Sequence, residues 1–144
     1  MSTTVRQLIQ RKPAVYSVTP DTTVFDALKV MADRNIGAVL VLDAGRLAGI
    51  FSERDYARKV ILEGRSSREL AVRAIMTTPV YCADPAWTVE DCMAIMTKWR
   101  VRHLPVLEAD RVAGVVSIGD VVSAVVSEQQ TTIEHLQAYI VSGA

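Results

Sequence analysis

The sequence predicts an α+β fold made of two similar units, each running strand, helix, strand, strand, helix. The first observation is an internal repeat: residues 49–55 (GIFSERD) recur as residues 114–120 (GVVSIGD), 65 residues later, and the match needs no gap from Val15 to Asp55. The second observation is the apolar spacing, which changes between helical and strand periods in the same order in both copies. Because a unit of this size has a thin core alone, we expect the two units to pack face to face.

Each element of the first unit has a local signal. Thr23 and Asp26 have the spacing of a capping box. Val24, Ala27 and Met31 then follow at helical spacing and predict a face turned to the core. The predicted elements are a short helix at 4–12, a strand at 15–18, a helix at 23–35, hairpin strands at 38–42 and 47–51 around a turn at 43–46, and a helix at 52–62.

The second unit repeats this order after a linker. Ser66 and Glu69 have capping-box spacing, which predicts a short linker helix to about Ile75. The remaining predicted elements are a strand at 80–83, a helix at 88–99, hairpin strands at 103–107 and 112–117, a helix from 117, and a tail helix after 128. The predicted boundaries are 1–65 for the first unit with its N-terminal helix, 66–127 for the second unit with its linker helix, and 128–144 for the tail.

Composition argues against several classes of protein. The formal net charge is zero, whereas a general nucleic-acid binder shows a basic stripe. No apolar run approaches the ~20 residues of a membrane span, and the N-terminus lacks the pattern of a signal peptide. The two cysteines suggest no disulfide framework, so a cytoplasmic location is predicted.

The sequence offers little support for catalysis or metal binding. The two histidines and two cysteines form neither a Cys-x-x-Cys nor a His-x-x-x-His pattern, which argues against zinc. A nucleophile elbow, a phosphate loop and a Gly-x-Gly-x-x-Gly pattern are all missing from the sequence. We therefore predict that the chain is not an enzyme and uses no metal or catalytic cofactor.

The repeated Ser-x-x-Asp has two interpretations. Ser52 with Asp55, and Ser117 with Asp120, are good helix caps whatever the protein does. The same groups also suit a nucleotide, because a helix start attracts a phosphate and an ionised aspartate can accept hydrogen bonds from both hydroxyls of a ribose. The duplication of the motif at matching points of both units favours a nucleotide site.

In order and duplication, these motifs resemble the CBS domain, and two adjacent copies resemble the tandem pair called a Bateman module. The resemblance rests on the helix starts after Pro20 and Pro85, on residues 102–106 (RHLPV) and on both Ser-x-x-Asp copies. It covers nearly the whole chain and implies two repeats packed sheet to sheet with pseudo-two-fold symmetry. It further implies a stand-alone CBS pair that binds an adenine nucleotide in clefts between the repeats.

The resemblance implies two clefts, each with residues from both repeats. The first would be lined by Ala14, Tyr16, Gly37, Ala38, Ser117, Gly119 and Asp120. The second would be lined by Pro79, Tyr81, Arg102, His103, Ser52, Arg54 and Asp55. Since Arg102, His103 and Arg54 belong to the second cleft, we expect it to attract phosphates more strongly.

Several of these residues also have simpler roles open to them. His103 could be a hydrogen-bonded packing residue instead of a ligand contact, and Tyr16 and Tyr81 could fill the core. The methionines are most simply core residues, and Trp87 or Trp99 could lie at a subunit contact.

The resulting prediction is a regulatory signal-transduction module that senses AMP, ADP, ATP or NAD(H) and passes a conformational change to a protein partner. A tail stripe of Ile133, Leu136 and Ile140 predicts a homodimer. The main alternative is a structural interaction module without a ligand. An enzyme that acts on nucleotides and a nucleic-acid-binding role also stay open, with less support from the residues.

Overall fold

Two sheets and five helices form the fold in a computed structural model that describes residues 2–12 and 15–143, with side chains up to residue 130 and at Glu134. The helices are α1 (Val5–Gln10), α2 (Val24–Arg34), α3 (Glu53–Tyr56), α4 (Val89–Trp99) and α5 (Ile118–Gly143). The strands are β1 (Ser17–Val18), β2 (Ala38–Asp43), β3 (Arg46–Ser52), β4 (His103–Glu108) and β5 (Arg111–Ser117). The predicted α+β fold of two repeats is confirmed.

Helices α2 and α4 are equivalent and begin and end in the same way. The hydroxyls of Thr23 and Thr88 accept from the backbone N–H three residues on, so each helix has the N-cap that the sequence predicts. Asn35 and Arg100 end the two helices in the left-handed conformation, with φ of 54° and 53°. The buried faces of both helices repeat at helical spacing, as expected.

The hairpins β2–β3 and β4–β5 have matching registers. Leu40 lies opposite Ile50, Pro105 lies opposite Val115, and both ladders shift after the next residue, at Val41 and Val106. Each hairpin therefore carries the same irregularity at the same point, which the gapless repeat in the sequence anticipates.

The first strand of each repeat differs between the two halves. In the first repeat β1 pairs in parallel with β2, and the Leu40 N–H donates to the carbonyl of Tyr16. The equivalent position in β4 is Pro105, which has no N–H to donate. The strand predicted at 80–83 is consequently reduced to one parallel bridge between Ala83 and Val106.

The segment before each repeat packs into the core of the other repeat: α1 into that of the second repeat, and the linker into that of the first. Val5 of α1 is fully buried with α4, β4 and β5 of the second repeat, and its N–H donates to the carbonyl of Trp87. Val72 of the linker is fully buried in the first repeat, and its N–H donates to Thr22. The predicted linker helix is a single 3₁₀ turn, Val72–Ala74, because this packing outweighs the capping signal at residue 66.

Two glycines allow these crossing segments to approach the sheets closely. A β-carbon at Gly49 would lie 2.6 Å from Met76 Sδ of the linker, and one at Gly114 would lie 2.8 Å from Ile9 Cγ2 of α1. Strands β3 and β5 also contact each other, so the two sheets meet beneath these segments.

The tail predicted after Glu128 is a continuation of α5, which runs without a break from the second repeat. The side chains of Ile133, Leu136 and Ile140, on which the predicted dimer stripe depends, lie outside the described residues.

Candidate functional site

Both Ser-x-x-Asp motifs form the helix starts that the sequence predicts. The Ser52 hydroxyl accepts from the Asp55 N–H at 3.2 Å, and Asp55 Oδ2 accepts from the Ser52 N–H at 3.0 Å. Ser117 and Asp120 make the same pair of bonds at 3.2 and 2.8 Å. The capping role is therefore real in both copies, and each carboxylate is held at the end of a hairpin strand.

The Asp55 carboxylate is buried and receives donors from three segments. Only 8% of the residue is exposed. Asp55 Oδ1 accepts from the Thr77 hydroxyl at 2.9 Å and pairs with Lys59 Nζ at 3.1 Å. Thr77 reaches this point because its backbone pairs with Ile50 of β3, and Lys59 because the helix continues past α3 as a π turn, Ala57–Ile61.

A cavity of about 570 Å³, the second cavity, opens in front of this carboxylate. Its walls include every residue that the sequence assigns to the second cleft: Pro79, Tyr81, Arg102, His103, Ser52, Arg54 and Asp55. The two repeats contribute to opposite sides of it. The residues predicted for the second cleft therefore lie around one cavity, and their role in binding a nucleotide stays a prediction.

The second cavity is more cationic than the sequence indicates. Arg58, Lys59 and Arg100 also line it, beside Arg54 and Arg102. The acidic lining residues are Glu53 and Asp55. Positive charge is therefore in excess at this cavity, as an anionic ligand requires.

His103 does not add to this positive charge at neutral pH. Burial lowers the pKa of His103 below its usual value, and the charges of Lys12 and Arg102 lower it further, against an opposing effect of Asp120. His103 therefore offers a neutral imidazole with one donor and one acceptor, and the expected attraction of phosphate to this cavity rests on its arginines and lysine.

An aromatic pair forms another wall of the second cavity. Tyr81 and Trp99 are stacked, with 4.8 Å between ring centroids and 17° between ring planes. They are 41% and 44% exposed, so Tyr81 does not fill the core. At the matching place in the first repeat, the Arg34 guanidinium lies 4.7 Å from the Tyr16 ring centroid. The repeat spacing relates Trp99 to Arg34, but the contact of each with its tyrosine is visible only in the structure.

The first cavity has a volume of about 530 Å³ and is also lined by residues of both repeats. Of the predicted residues, Tyr16, Gly37, Ala38 and Ser117 line it. Asp120 is not among the described residues that line it and lies at its edge, beside two that do: the Lys12 ammonium donates to Asp120 Oδ2 at 2.7 Å, and Ser117 precedes it by three residues.

Two further residues predicted for the first cavity, Gly119 and Ala14, are not among the described residues that line it. Gly119 lies exposed in the first turn of α5, outside the described lining of both cavities. Ala14 lies outside the described residues.

The two cavities share a wall. His103, Gly37 and Ile50 line both of them. A β-carbon at Gly37 would lie 3.8 Å from the His103 imidazole, so this side chain stands directly between the two spaces. A group that moves His103 in one cavity therefore changes the wall of the other.

Metal binding, cysteine reactivity and membrane crossing can each be checked against the described residues. The described residues contain no cluster of histidine, cysteine and acidic side chains that could hold a metal ion. Burial, with a smaller effect of Asp91, raises the pKa of the Cys92 thiol to about 11, and burial also raises the pKa of Cys82. Within the described part of the chain, none of the helices combines the length and apolar character that crossing a membrane requires. The cytoplasmic location stays a prediction.

Comparison with known proteins identifies the family. The model of the CBS domain matches twice, at residues 5–62 and 72–127. The mitochondrial CBS domain-containing protein CBSX3 of Arabidopsis thaliana is 45% identical over 130 residues, which are 87% of this chain and 63% of that protein. The chain thus spans less than two thirds of that relative.

Solved structures agree with the match. The candidate signal-transduction protein with CBS domains from Burkholderia ambifaria superposes with a TM-score of 0.85 at 47% identity, over 88% of this chain and 96% of that one. A CBS domain pair in complex with 5′-methylthioadenosine and S-adenosyl-L-methionine gives a TM-score of 0.75 at 24% identity, over 89% of this chain and 99% of that one, which shows a shared fold. The chain belongs to the CBS-domain family and contains two CBS domains in tandem.

Proposed function

We propose that this CBS pair is an adenine-nucleotide sensor that binds AMP, ADP, ATP or NAD(H) between its repeats and transmits a conformational change to a protein partner. The observation that carries the proposal is the position of the two duplicated carboxylates. Asp55 is buried at the wall of the second cavity, and Asp120 lies at the edge of the first. Both cavities fall within the ~300–1,000 Å³ typical of ligand sites.

The second cavity offers a partner for each part of an adenine nucleotide. The face of the Tyr81–Trp99 pair suits an adenine ring, because stacking on aromatic side chains needs only a flat base. Asp55 suits the ribose hydroxyls, and the arginines around the opening suit phosphates. We therefore assign the more highly charged nucleotide to the second cavity and the less charged one to the first.

Ligand binding at Asp55 would be coupled to the linker. A ribose that takes the Asp55 carboxylate competes with Thr77 and Lys59, and Lys59 also donates to the carbonyl of Ile75 at 3.1 Å. Their release would loosen the segment that pairs with β3 and completes the core of the first repeat. A ligand shifts such an equilibrium only by its difference in affinity for the two arrangements, and this exchange of partners supplies one.

The related fold gives this assignment further support. The adenosine compounds bound by the CBS pair of similar fold contain the same nucleoside as the proposed ligands. The assignment needs no catalytic group, in line with the prediction that the chain is not an enzyme.

Thermal shift measurements with a nucleotide panel test the function. A true ligand at 100 times its dissociation constant should raise the free energy of unfolding by ~2.7 kcal/mol. Arg54→Ala with Arg102→Ala should reduce the shift by ATP more than the shift by adenosine, since both side chains are exposed cations of the second cavity. A flat response across the panel would contradict the proposal and favour the structural interaction module, whereas turnover of ATP would favour an enzyme.

We also propose a homodimer, formed through the outer faces of α4 and α5. Val122 and Val126 lie one turn apart on α5 and are 53% and 56% exposed, and Met93 on the adjacent α4 is also exposed. An apolar face of two contacting helices is typical of a subunit contact. We expect light scattering at micromolar concentration to give twice the chain mass, and Val122→Glu with Val126→Glu to give a folded monomer. A single chain mass for the unmodified protein would refute the dimer.

A further inference from the structure

The first cavity already contains a positively charged group at its proposed ribose site. Lys12 Nζ donates to Asp120 Oδ2 and to the carbonyl of Val115, both at 2.7 Å. The Lys12 side chain is 33% exposed. Burial raises the pKa of Asp120, but the hydrogen bonds from Lys12 and from the Ser117 N–H lower it more, and the net pKa lies below its usual value. The carboxylate is thus ionised and paired with Lys12.

The corresponding pair in the second cavity is built differently. Lys59 contacts Asp55 from the next turn of the same helical segment, and several arginines lie around it. Lys12 instead comes from the segment after α1, and among the described residues that line the first cavity it is the single lysine or arginine. The charge of the first cavity therefore depends on one side chain.

We propose that Lys12 makes the first cavity selective for adenine nucleosides that carry an anionic group, such as a 5′-phosphate, over neutral nucleosides. This inference rests on the proposed function and names the ligand class of one of its two cavities. A ribose whose two hydroxyls use both oxygens of Asp120 competes with Lys12 at Oδ2, which already accepts from Lys12 and from the Ser117 N–H. The lysine then needs a new partner, because a partly buried ammonium without one is unfavourable.

The ligand itself decides whether that partner exists. An ammonium has three donors, and the described residues Val115 and Asp120 take two of them. A phosphate in the cavity can accept from the third donor and from any that the ribose releases. A neutral nucleoside supplies no such acceptor charge, so its binding keeps the full cost of disturbing the ion pair.

Calorimetry with adenosine and AMP tests the selectivity. The background is Tyr81→Ala with Arg102→Ala, two exposed residues whose loss removes part of the aromatic face and one arginine of the second cavity, weakens binding there and leaves the core intact. With Lys12 present we expect AMP to bind about tenfold or more tightly than adenosine. Lys12→Met should reduce this ratio about tenfold, a change of about 1.4 kcal/mol, through weaker AMP binding, with adenosine binding unchanged or tighter.

Two further variants control the experiment. Lys12→Arg keeps the charge and should retain the preference for AMP. Lys29→Met makes the same change of net charge at an exposed position on α2 and should leave the ratio unchanged. If Lys12→Met weakens the binding of AMP and of adenosine by the same factor, Lys12 only positions the Asp120 carboxylate, and the selectivity proposal is wrong. If neither compound binds in this background while Lys12 is present, the first cavity is not a nucleoside site and the selectivity proposal fails. The proposed function itself fails only if the unmodified protein also shows no response to the nucleotide panel.

Discussion

Replacing Asp55 by alanine is expected to lower the free energy of unfolding by about 3 kcal/mol. The substitution removes the acceptor of the Ser52 N–H, the Thr77 hydroxyl and the Lys59 ammonium at once. Removal of one member of a buried, hydrogen-bonded group leaves the others unpaired. Because Lys59 is partly exposed, its ammonium can be hydrated in the variant. The loss of free energy of unfolding should therefore be smaller than for a fully buried ion pair. Urea denaturation followed by circular dichroism measures it.

Two other variants give losses of free energy of unfolding with which the effect of Asp55→Ala can be compared. Asp120→Ala should cost less, about 1–2 kcal/mol, because the Asp120 side chain is 26% exposed and that of Asp55 only 11%. Glu90→Ala removes an exposed acid from the first turn of α4 and should change the free energy by less than about 0.5 kcal/mol. A loss at Asp55 no larger than that at Glu90 would mean that the contacts of the buried carboxylate do not stabilise the fold.

The same substitution should have the larger effect on nucleotide binding. Asp55→Ala is expected to weaken the binding of ATP by about 100-fold, since both ribose hydroxyls lose a charged acceptor. Asp120→Ala should leave this site nearly intact, because Asp120 lies at the other cavity. Calorimetry that finds tighter ATP binding in Asp55→Ala than in Asp120→Ala would contradict the assignment of the highly charged nucleotide to the second cavity.

Replacing Gly114 by alanine is expected to destabilise the protein by about 2–3 kcal/mol. The new β-carbon would lie 2.8 Å from Ile9 Cγ2 and 2.9 Å from Ile9 Cβ. Rotation of the Ile9 side chain can move Cγ2 but not Cβ, which is fixed to the backbone, so α1 itself must shift away from β5. Because α1 places Val5 in the second core, the shift also disturbs that core.

Gly119→Ala is the matched control for this prediction. The nearest atom to its new β-carbon would be Ser117 Oγ at 3.6 Å, an ordinary contact, and an alanine in a helix is favoured over glycine by up to ~1 kcal/mol. We expect chemical denaturation to show a loss at Gly114 and no loss at Gly119. Similar midpoints for the two variants would contradict the close approach of α1 to β5. Ile9→Ala should recover part of the loss, because it removes one of the two clashing carbons.

The fold was predictable because the local signals agree with the tertiary contacts. Thr23 and Thr88 cap helices at the predicted positions, and the two hairpins pair where they were predicted. The reduced first strand of the second repeat was also open to prediction, since a proline at residue 105 cannot donate to a neighbouring strand. The predicted linker helix was wrong because there the local signal and the tertiary contacts disagree. Ser66 and Glu69 form a good local signal, and burial of Val72 in the first core outweighs it.

The candidate site was predictable where the repeat, and the family resemblance that the repeat supports, place its residues. The Ser-x-x-Asp motifs and Arg102 are positioned by elements that the duplication reveals. Lys12 and Thr77 are positioned by segments that pack on the opposite repeat, and nothing in their spacing indicates this. The pKa of His103 likewise depends on burial and on Lys12, which are features of the folded chain.

The crossing of α1 to the second core determines what the N-terminal end of the chain is attached to. Thr3 donates through its N–H and its hydroxyl to Glu128 Oε1, at 2.7 and 2.8 Å, so residues 3–10 are joined to α5 as well as to β5. A force applied at residue 2 is therefore transmitted first to the half of the molecule that is synthesised last. A domain fused there would be mechanically coupled to the second repeat and, through the shared wall at His103, to both cavities.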